Sequence, residues 1–194
     1  GLGGSSSING LIFIRGQRED YDHWASLGNT GWGWDDVLPW FKRCEGNSRG
    51  ASEYHGGEGP LSASDIGRPH ELVDAFIAGA GEVGIPRNDD FNGATQEGAG
   101  YYQLTTKNGL RCSTAVAYLK PARGRPNLRI ETEAMVHRVL MDGRRAAGIE
   151  YSKGGRTMVA RARREVVLSA GGLQSPQLLQ LSGIGDPTLL AEHG

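Results

Sequence analysis

Glu165–Gly183, EVVLSAGGLQSPQLLQLSG, reads as a strand, a glycine turn and a helix. Glu165–Ser169 is apolar and β-branched enough for a buried strand, and Gly171-Gly172 breaks it. Ser175 stands as helix cap with Pro176 in the first turn, and Gly183 is placed to close the last turn in the left-handed conformation. A strand delivering small residues to a helix start is the unit of an α/β fold, and open α/β sheets bind ligands at that end of a strand. Taken alone, the segment reads first as an ordinary βα loop.

Upstream of this unit the pattern is β. Leu128–Thr132, Met135–Met141, Ala146–Tyr151 and Thr157–Arg163 are β-branched or alternating. Asp142-Gly143 and Gly154-Gly155 supply hairpin turns, so these runs predict a β-meander. The amino-terminal half carries helices. Asp35–Glu45 is expected to be capped by Asp35 or Asp36, with Pro39 tolerated only in a first turn and Gly46 as the stop. Glu71–Val83 sets Leu72, Val73, Phe76, Ile77, Ala80 and Val83 on one face, ended by Gly84. Ser113 begins a short helix that Pro121 terminates. Ile85–Leu110 is glycine-, Asn- and Asp-rich without periodicity, and a loop of that length is expected to be functional or packed on another part.

Composition excludes several classes of function. The 194 residues carry 21 Lys+Arg against 22 Asp+Glu, a net charge of −1. A nucleic-acid binder would show a basic surplus. No apolar run approaches the ~20 residues that a membrane span needs, and the first ten residues lack the features of a signal peptide. Cys44 and Cys112 are far apart in sequence, giving neither a disulfide framework nor zinc-type spacing, and fit a reducing, cytoplasmic compartment. Glycine, at 31 residues, stands at roughly twice its usual share of about 7%. So many glycines imply tight turns and close backbone approaches.

Two glycine motifs invite a nucleotide reading. Gly79–Gly84 matches G-x-G-x-x-G, but a helix precedes it and Ile85-Pro86 follows; the phosphate-binding motif needs the opposite order. It reads as a helix terminus. Gly3–Gly10, GGSSSING, joins three glycines, three hydroxyls and an amide to the apolar run LIFI. Such a segment can bring main chain and hydroxyls against a flat or phosphorylated ligand, or it can be a flexible linker, and composition leaves both open.

Together, GLGGSSSING and GGLQSPQLLQLSGIG resemble the two signature stretches of the glucose–methanol–choline (GMC) family of FAD-dependent oxidoreductases. RGQREDYDHWASLGNTGWGWDDVLPWFKRCE, YHGGEGPLSASD and NGLRCSTAVAYLKPARGRPNLRIETEAMVHRVL resemble that family's amino-terminal half, in its choline dehydrogenase and alcohol dehydrogenase branch. The resemblance covers essentially the whole chain. It implies a partial Rossmann-like FAD-binding domain: residues 1–68 and 111–194 belong to the flavin domain, and 69–110 to the substrate-binding domain. Gly3, Gly4, Ser5, Asn9, Gly10, Leu11 and Ile12 are expected beside the FAD pyrophosphate and isoalloxazine. Val136 is expected to meet the adenine edge through its backbone, and Ala170 and Gly171 to lie at the strand end that packs on the cofactor.

Some members of the family attach flavin through a histidine at the position held here by Ile8, so non-covalent FAD is expected. The resemblance further implies oxidation of a primary alcohol (choline-like, aliphatic or aryl) to the aldehyde by hydride transfer to flavin N5, with oxygen or a quinone as electron acceptor. Neither the family's first strand–G-x-G-x-x-G–helix nor its catalytic histidine matches anything in the 194 residues. They are expected before Gly1 and beyond Gly194, and no catalytic residue is assigned. His23, His55, His70, His137 and His193 match no catalytic position. Trp24, Trp32, Trp34 and Trp40 read as a packing cluster in preference to a substrate cage. As an isolated fragment the chain is expected to expose strand edges and apolar faces. The alternatives from other classes are a non-catalytic dinucleotide-binding module and a truncated pseudo-enzyme.

Overall fold

A computed structural model describes residues 1–193. It is mixed α and β, and forms two compact units, Gly1–Leu128 and Arg129 onward. No helix among the described residues is long and apolar enough to cross a membrane.

The first unit begins with a 3₁₀ turn, Gly4–Ser7, followed by α1 (Arg18–Ser26) and α2 (Trp34–Cys44). Helix α2 starts one residue earlier than expected because its cap comes from α1: the Trp34 N–H donates to Asp22 Oδ1 at 2.9 Å. Asp35 and Asp36 therefore sit in the first turn, where negative charge suits the helix dipole. Pro39 lies inside the helix, beyond the first turn. Gly46 does not stop α2; the chain passes straight into β1 (Glu45–Asn47), which pairs in parallel with β2 (Leu61–Ala63).

Helix α3 (Glu71–Glu82) follows. Gly84, at φ +86°, closes it: Gly84 N–H bonds Gly81 O and Ile85 N–H bonds Ala80 O, the Schellman pattern. The G-x-G-x-x-G string is thus a helix end. Of the predicted apolar face only Ile77 and Ala80 are buried, while Leu72, Phe76 and Val83 are 70–76% exposed.

The long stretch after α3 is irregular yet held by side-chain amides. Asn92 accepts from Arg15 N–H and donates to Phe13 O, and Gln96 donates to Arg15 O. These bonds do for this loop what a ladder does for a strand. A hairpin of β3 (Thr106–Lys107) and β4 (Leu110–Arg111) turns at Asn108-Gly109, both at positive φ. A π turn, Ala115–Leu119, leads into α4 (Lys120–Ala122). Pro121 sits within the first turn of α4, where proline is tolerated, and does not terminate the helix, which ends at Ala122, two residues later than expected.

The second unit is the expected meander: β5 (Met135–Asp142), β6 (Arg145–Lys153) and β7 (Arg156–Arg161), antiparallel in that order. Gly154 and Gly155, at φ +56° and +73°, make the second hairpin turn. Then come α5 (Gln174–Leu181) and α6 (Pro187–His193). Helix α5 packs on β5 through buried Leu178, and Ser182 Oγ accepts the Val139 N–H at 2.8 Å. Gly183 (φ +77°) closes α5 as its sequence position requires, with Gly183 N–H on Gln180 O and Ile184 N–H on Leu179 O.

Two expected strands are absent among the described residues. Leu128–Thr132 and Glu165–Ser169 carry no ladder, since a strand exists only with a hydrogen-bonding neighbour and neither segment has one. Ser175 is not the cap of α5: Leu173 precedes the helix, and Ser175 Oγ instead accepts the Ala170 N–H.

Candidate functional site

In the first unit, Gly3 through Ile12 form one continuous loop laid against residues 104–115. Gly3 (φ +91°) and Gly4 (φ +54°) turn the chain into the 3₁₀ segment. A Cβ on Gly3 would overlap Ser7 Oγ, while at Gly4 and Gly10 it would meet open space. Ser6 and Ser7 point their hydroxyls inward, onto Gly3 O and Leu2 O. Ser5, Ile8, Asn9 and Gly10 are exposed. The result is a rim of main chain with few side chains, bearing one outward serine.

Leu11 holds φ +67°, a left-handed conformation that costs a residue with a Cβ roughly 1–2 kcal/mol. It is pinned from both sides. Its N–H donates to Asn9 Oδ1 at 3.2 Å, and its carbonyl accepts from Thr105 N–H at 2.8 Å and Thr105 Oγ1 at 3.2 Å. Arg111 fastens the loop further, donating to Ser6 O, Asn9 Oδ1 and Asn9 O at 3.1, 2.7 and 2.8 Å. Thr114 adds its N–H to Ser6 Oγ and its hydroxyl to Gly3 O.

The other predicted residues lie in the second unit. Val136 belongs to β5, an edge strand. Its register partner is Tyr151, and the register shifts by one residue between Val136 and Arg138. Val139 turns its N–H away from β6, onto Ser182. Strict alternation would point Val136 the other way, but the extra residue re-phases the strand so that its backbone N–H and C=O also face the free edge. Such a donor–acceptor pair can read the edge of a planar base. Ala170 and Gly171 (φ +95°) are exposed at the amino-terminal end of α5. The structure thus unites Gly3, Gly4, Ser5, Asn9, Gly10, Leu11 and Ile12 in one loop; Val136 and the Ala170–Gly171 pair belong to the other unit.

Sequence reasoning missed Arg111, Thr105 and Thr114 at the loop, and a buried polar cluster behind it. Glu45, 0% exposed, pairs with Arg15, accepts from Asn47 Nδ2 and Gly56 N–H, and meets His55 Nδ1 at 2.7 Å. His55 Nε2 lies 2.9 Å from Asp90 Oδ2. With a carboxylate on each ring nitrogen, both nitrogens carry protons, and the two hydrogens of Asn47 Nδ2 go to Glu45 and to Gln103 Oε1. The bond to Glu45, with that to Asp90, holds the His55 pKa above its usual value against the opposing effect of burial. Burial pushes Glu45 upward, yet its bonds from His55 and Asn47 and the charge of Arg15 leave it below the usual carboxylate range. The Arg15 guanidinium also lies 5.8 and 5.3 Å from the rings of Phe13 and Phe41. The clue in the sequence is YHGGEG: a Cβ on Gly56 or Gly59 would strike the backbone of Lys42–Glu45.

None of the predicted residues lines the cavity of about 430 Å³ beside Gln17, Leu38, Asn92 and Gln96. Trp34 is buried and packs beside Tyr21, as a packing cluster should, but Trp24, Trp32 and Trp40 are about half exposed around an apolar cleft.

A glycine-rich loop with its polar fastening lies in one unit of a mixed α and β protein, and a β-edge and a glycine turn at a helix start lie in the other. Comparison with known proteins supplies the class. The family model of GMC oxidoreductases matches residues 1–191. The oxygen-dependent choline dehydrogenase of Brucella anthropi is 45% identical over 100% of this chain and 35% of its own length. The mitochondrial choline dehydrogenase of Mus musculus is 47% identical over 95% of this chain and 31% of its own. Among solved structures, pyridoxine 4-oxidase from Mesorbium loti superposes with a TM-score of 0.89 at 33% identity, covering 96% of this chain and 37% of that one. The chain belongs to the GMC oxidoreductase family, whose members are FAD-binding enzymes. It spans about a third of the length of these relatives.

Proposed function

We propose that this chain is the part of an FAD-dependent alcohol oxidoreductase that holds the flavin, in a protein oxidising a primary alcohol to its aldehyde. The carrying observation is the Gly3–Ile12 loop. Gly4 and Gly10 leave open space where a Cβ would stand, and fastenings from Thr105, Arg111 and Thr114 fix the loop's shape. That surface fits a flat ring system and a diphosphate, which need close backbone approach and donors. When bound, FAD supplies the acceptor for the hydride leaving the alcohol carbon.

In this reading Gly3, Gly4, Ser5 and Asn9–Ile12 hold the pyrophosphate and ring, Val136 offers its free N–H and C=O to the adenine edge, and Ala170 and Gly171 let main chain lie close to the cofactor. Ile8 has no nucleophilic atom, so the flavin is dissociable. Residues 1–68 and 111–194 serve the flavin and 69–110 the alcohol. Oxygen or a quinone takes the electrons. The separate free thiols Cys44 and Cys112 support a reducing, cytoplasmic setting.

The test uses the protein expressed from its complete reading frame. It is expected to purify yellow and to lose its visible flavin absorbance when primary alcohols, choline among them, are added without oxygen. A colourless product that takes up no FAD, or a flavoprotein that no alcohol reduces, overturns the reading.

A further inference from the structure

We infer that Arg111 is a positioning residue that sets the shape of the flavin-facing loop by gripping Asn9 and, through it, the left-handed Leu11. The inference rests on the functional reading above for its consequence, but its geometry stands apart from it. The guanidinium reaches across 102 residues of sequence to take both oxygens of Asn9, side chain at 2.7 Å and main chain at 2.8 Å, and adds Ser6 O at 3.1 Å. Two nitrogens of the planar fork share the work, Nη1 on Ser6 O and Asn9 Oδ1 and Nη2 on Asn9 O, which the single nitrogen of a lysine would have to cover from one point.

The same Asn9 side-chain oxygen accepts the Leu11 N–H. Arg111 therefore orients the group that pays for Leu11's unfavourable φ, while Thr105 secures the Leu11 carbonyl. Strained backbone of this kind persists only where the surroundings over-determine it. Arg111 itself is well founded: it ends β4, paired to Thr106, and the next residue, Cys112, is 1% exposed. No carboxylate bonds to its guanidinium among the described residues, and all three of its side-chain bonds go to the loop. A rigid, pre-shaped loop binds its ligand without the cost of ordering it, so loosening the grip should weaken affinity more than it disturbs the fold.

The experiment compares Arg111→Gln, Arg111→Lys, Asn9→Ala and the double variant Arg111→Gln/Asn9→Ala, each in the protein expressed from its complete reading frame. FAD dissociation constants are measured on the apoprotein. Exchange of the Leu11 amide is followed without FAD, with the Val139 amide as internal reference. Arg111→Gln and Asn9→Ala should each weaken FAD about tenfold, the affinity equivalent of one charge-assisted hydrogen bond. Arg111→Lys should fall between these and the parent. The double variant should be no weaker than either single by more than about threefold, because both remove one linkage. Leu11 exchange should quicken about tenfold in Arg111→Gln with Val139 unchanged.

Additive losses near a hundredfold, or unaltered Leu11 exchange, would overturn the inference. So would equal acceleration at Leu11 and Val139, which marks general loosening. If Arg111→Gln does not fold, Arg111→Lys decides by the same two readouts. A parent protein that binds no FAD would sink the flavin reading alone, since the exchange measurement still judges the grip.

Discussion

Replacing Glu45 by glutamine should cost more than any other single polar change in the first unit. The carboxylate is wholly buried and holds Arg15, whose side chain is itself 4% exposed. Glutamine keeps one carbonyl oxygen but puts an NH2 where Glu45 accepts. With its oxygen turned to Arg15 it sets that NH2 against the donors of Asn47 and His55, and turned the other way it leaves the guanidinium with Tyr54 O at 2.6 Å and two ring faces. Removing one partner of a buried ion pair typically costs about 3–5 kcal/mol, because the other charge stays in a medium that cannot solvate it. At the upper end of the usual urea slope, about 3 kcal/mol per molar, a loss of ~4 kcal/mol lowers the unfolding midpoint by roughly 1.3 M. Arg15→Gln is the informative comparison. It leaves Glu45 with Asn47, His55 and Gly56 still donating, so the smaller loss is expected there. Urea melts of the complete-reading-frame protein measure both. A Glu45→Gln loss below about 1 kcal/mol, the range of exposed pairs, or a larger loss for Arg15→Gln, would refute the reasoning.

The same cluster sets a pH window. His55, whose folded pKa is raised, contributes stability that is complete below its ordinary value of about 6.5 and is lost as pH rises through the folded value. Glu45, whose pKa is depressed, contributes stability that is present above about 4.3 and is lost as pH falls through its folded value. Melting temperature against pH should therefore decline on both flanks, and His55→Gln should flatten the alkaline one; an unchanged alkaline flank refutes the assignment. Gly56→Ala should cost about 3 kcal/mol or more, since the new Cβ would overlap Lys42 O and lie 2.8 Å from Glu45 O, whereas Gly4→Ala, with open space, should cost only its φ strain of about 1 kcal/mol. Thermal melts separate the two. Precipitation of the flavin-loaded protein with acid should leave all flavin in the supernatant, because Ile8 offers no atom for a covalent link; flavin retained in the pellet contradicts that.

What the sequence shows of this fold is what neighbours in the chain decide. Gly84 and Gly183 close their helices because only glycine takes the left-handed conformation freely, and the β5–β7 meander follows from alternation plus turn dipeptides. The misread elements turn on distant partners. Asp22 starts α2 from another helix, and Glu165–Ser169, the run with the plainest strand composition, has no pairing neighbour among the described residues.

The candidate site divides by the same rule. Gly3–Ile12 stands out as a candidate because a loop that faces a ligand needs missing side chains, and glycine is visible in any composition. Its fastenings are not, because Arg111 and Thr105 act across 102 and 94 residues and look in sequence like surface polar residues. The Glu45 cluster gathers residues 15, 45, 47, 55, 90 and 103, of which only 45 and 47 share a strand. The glycines of YHGGEG are its one local trace, since a cluster so closely packed excludes Cβ atoms around it. A glycine load this high thus has two separate causes in one chain. At Gly4 and Gly10 the absent side chain leaves open space outside, which the proposed function gives to a ligand, and at Gly56 and Gly59 it leaves space inside for the backbone. Alanine substitution tells them apart: the first pair should lose cofactor affinity and keep the fold, and the second should lose the fold.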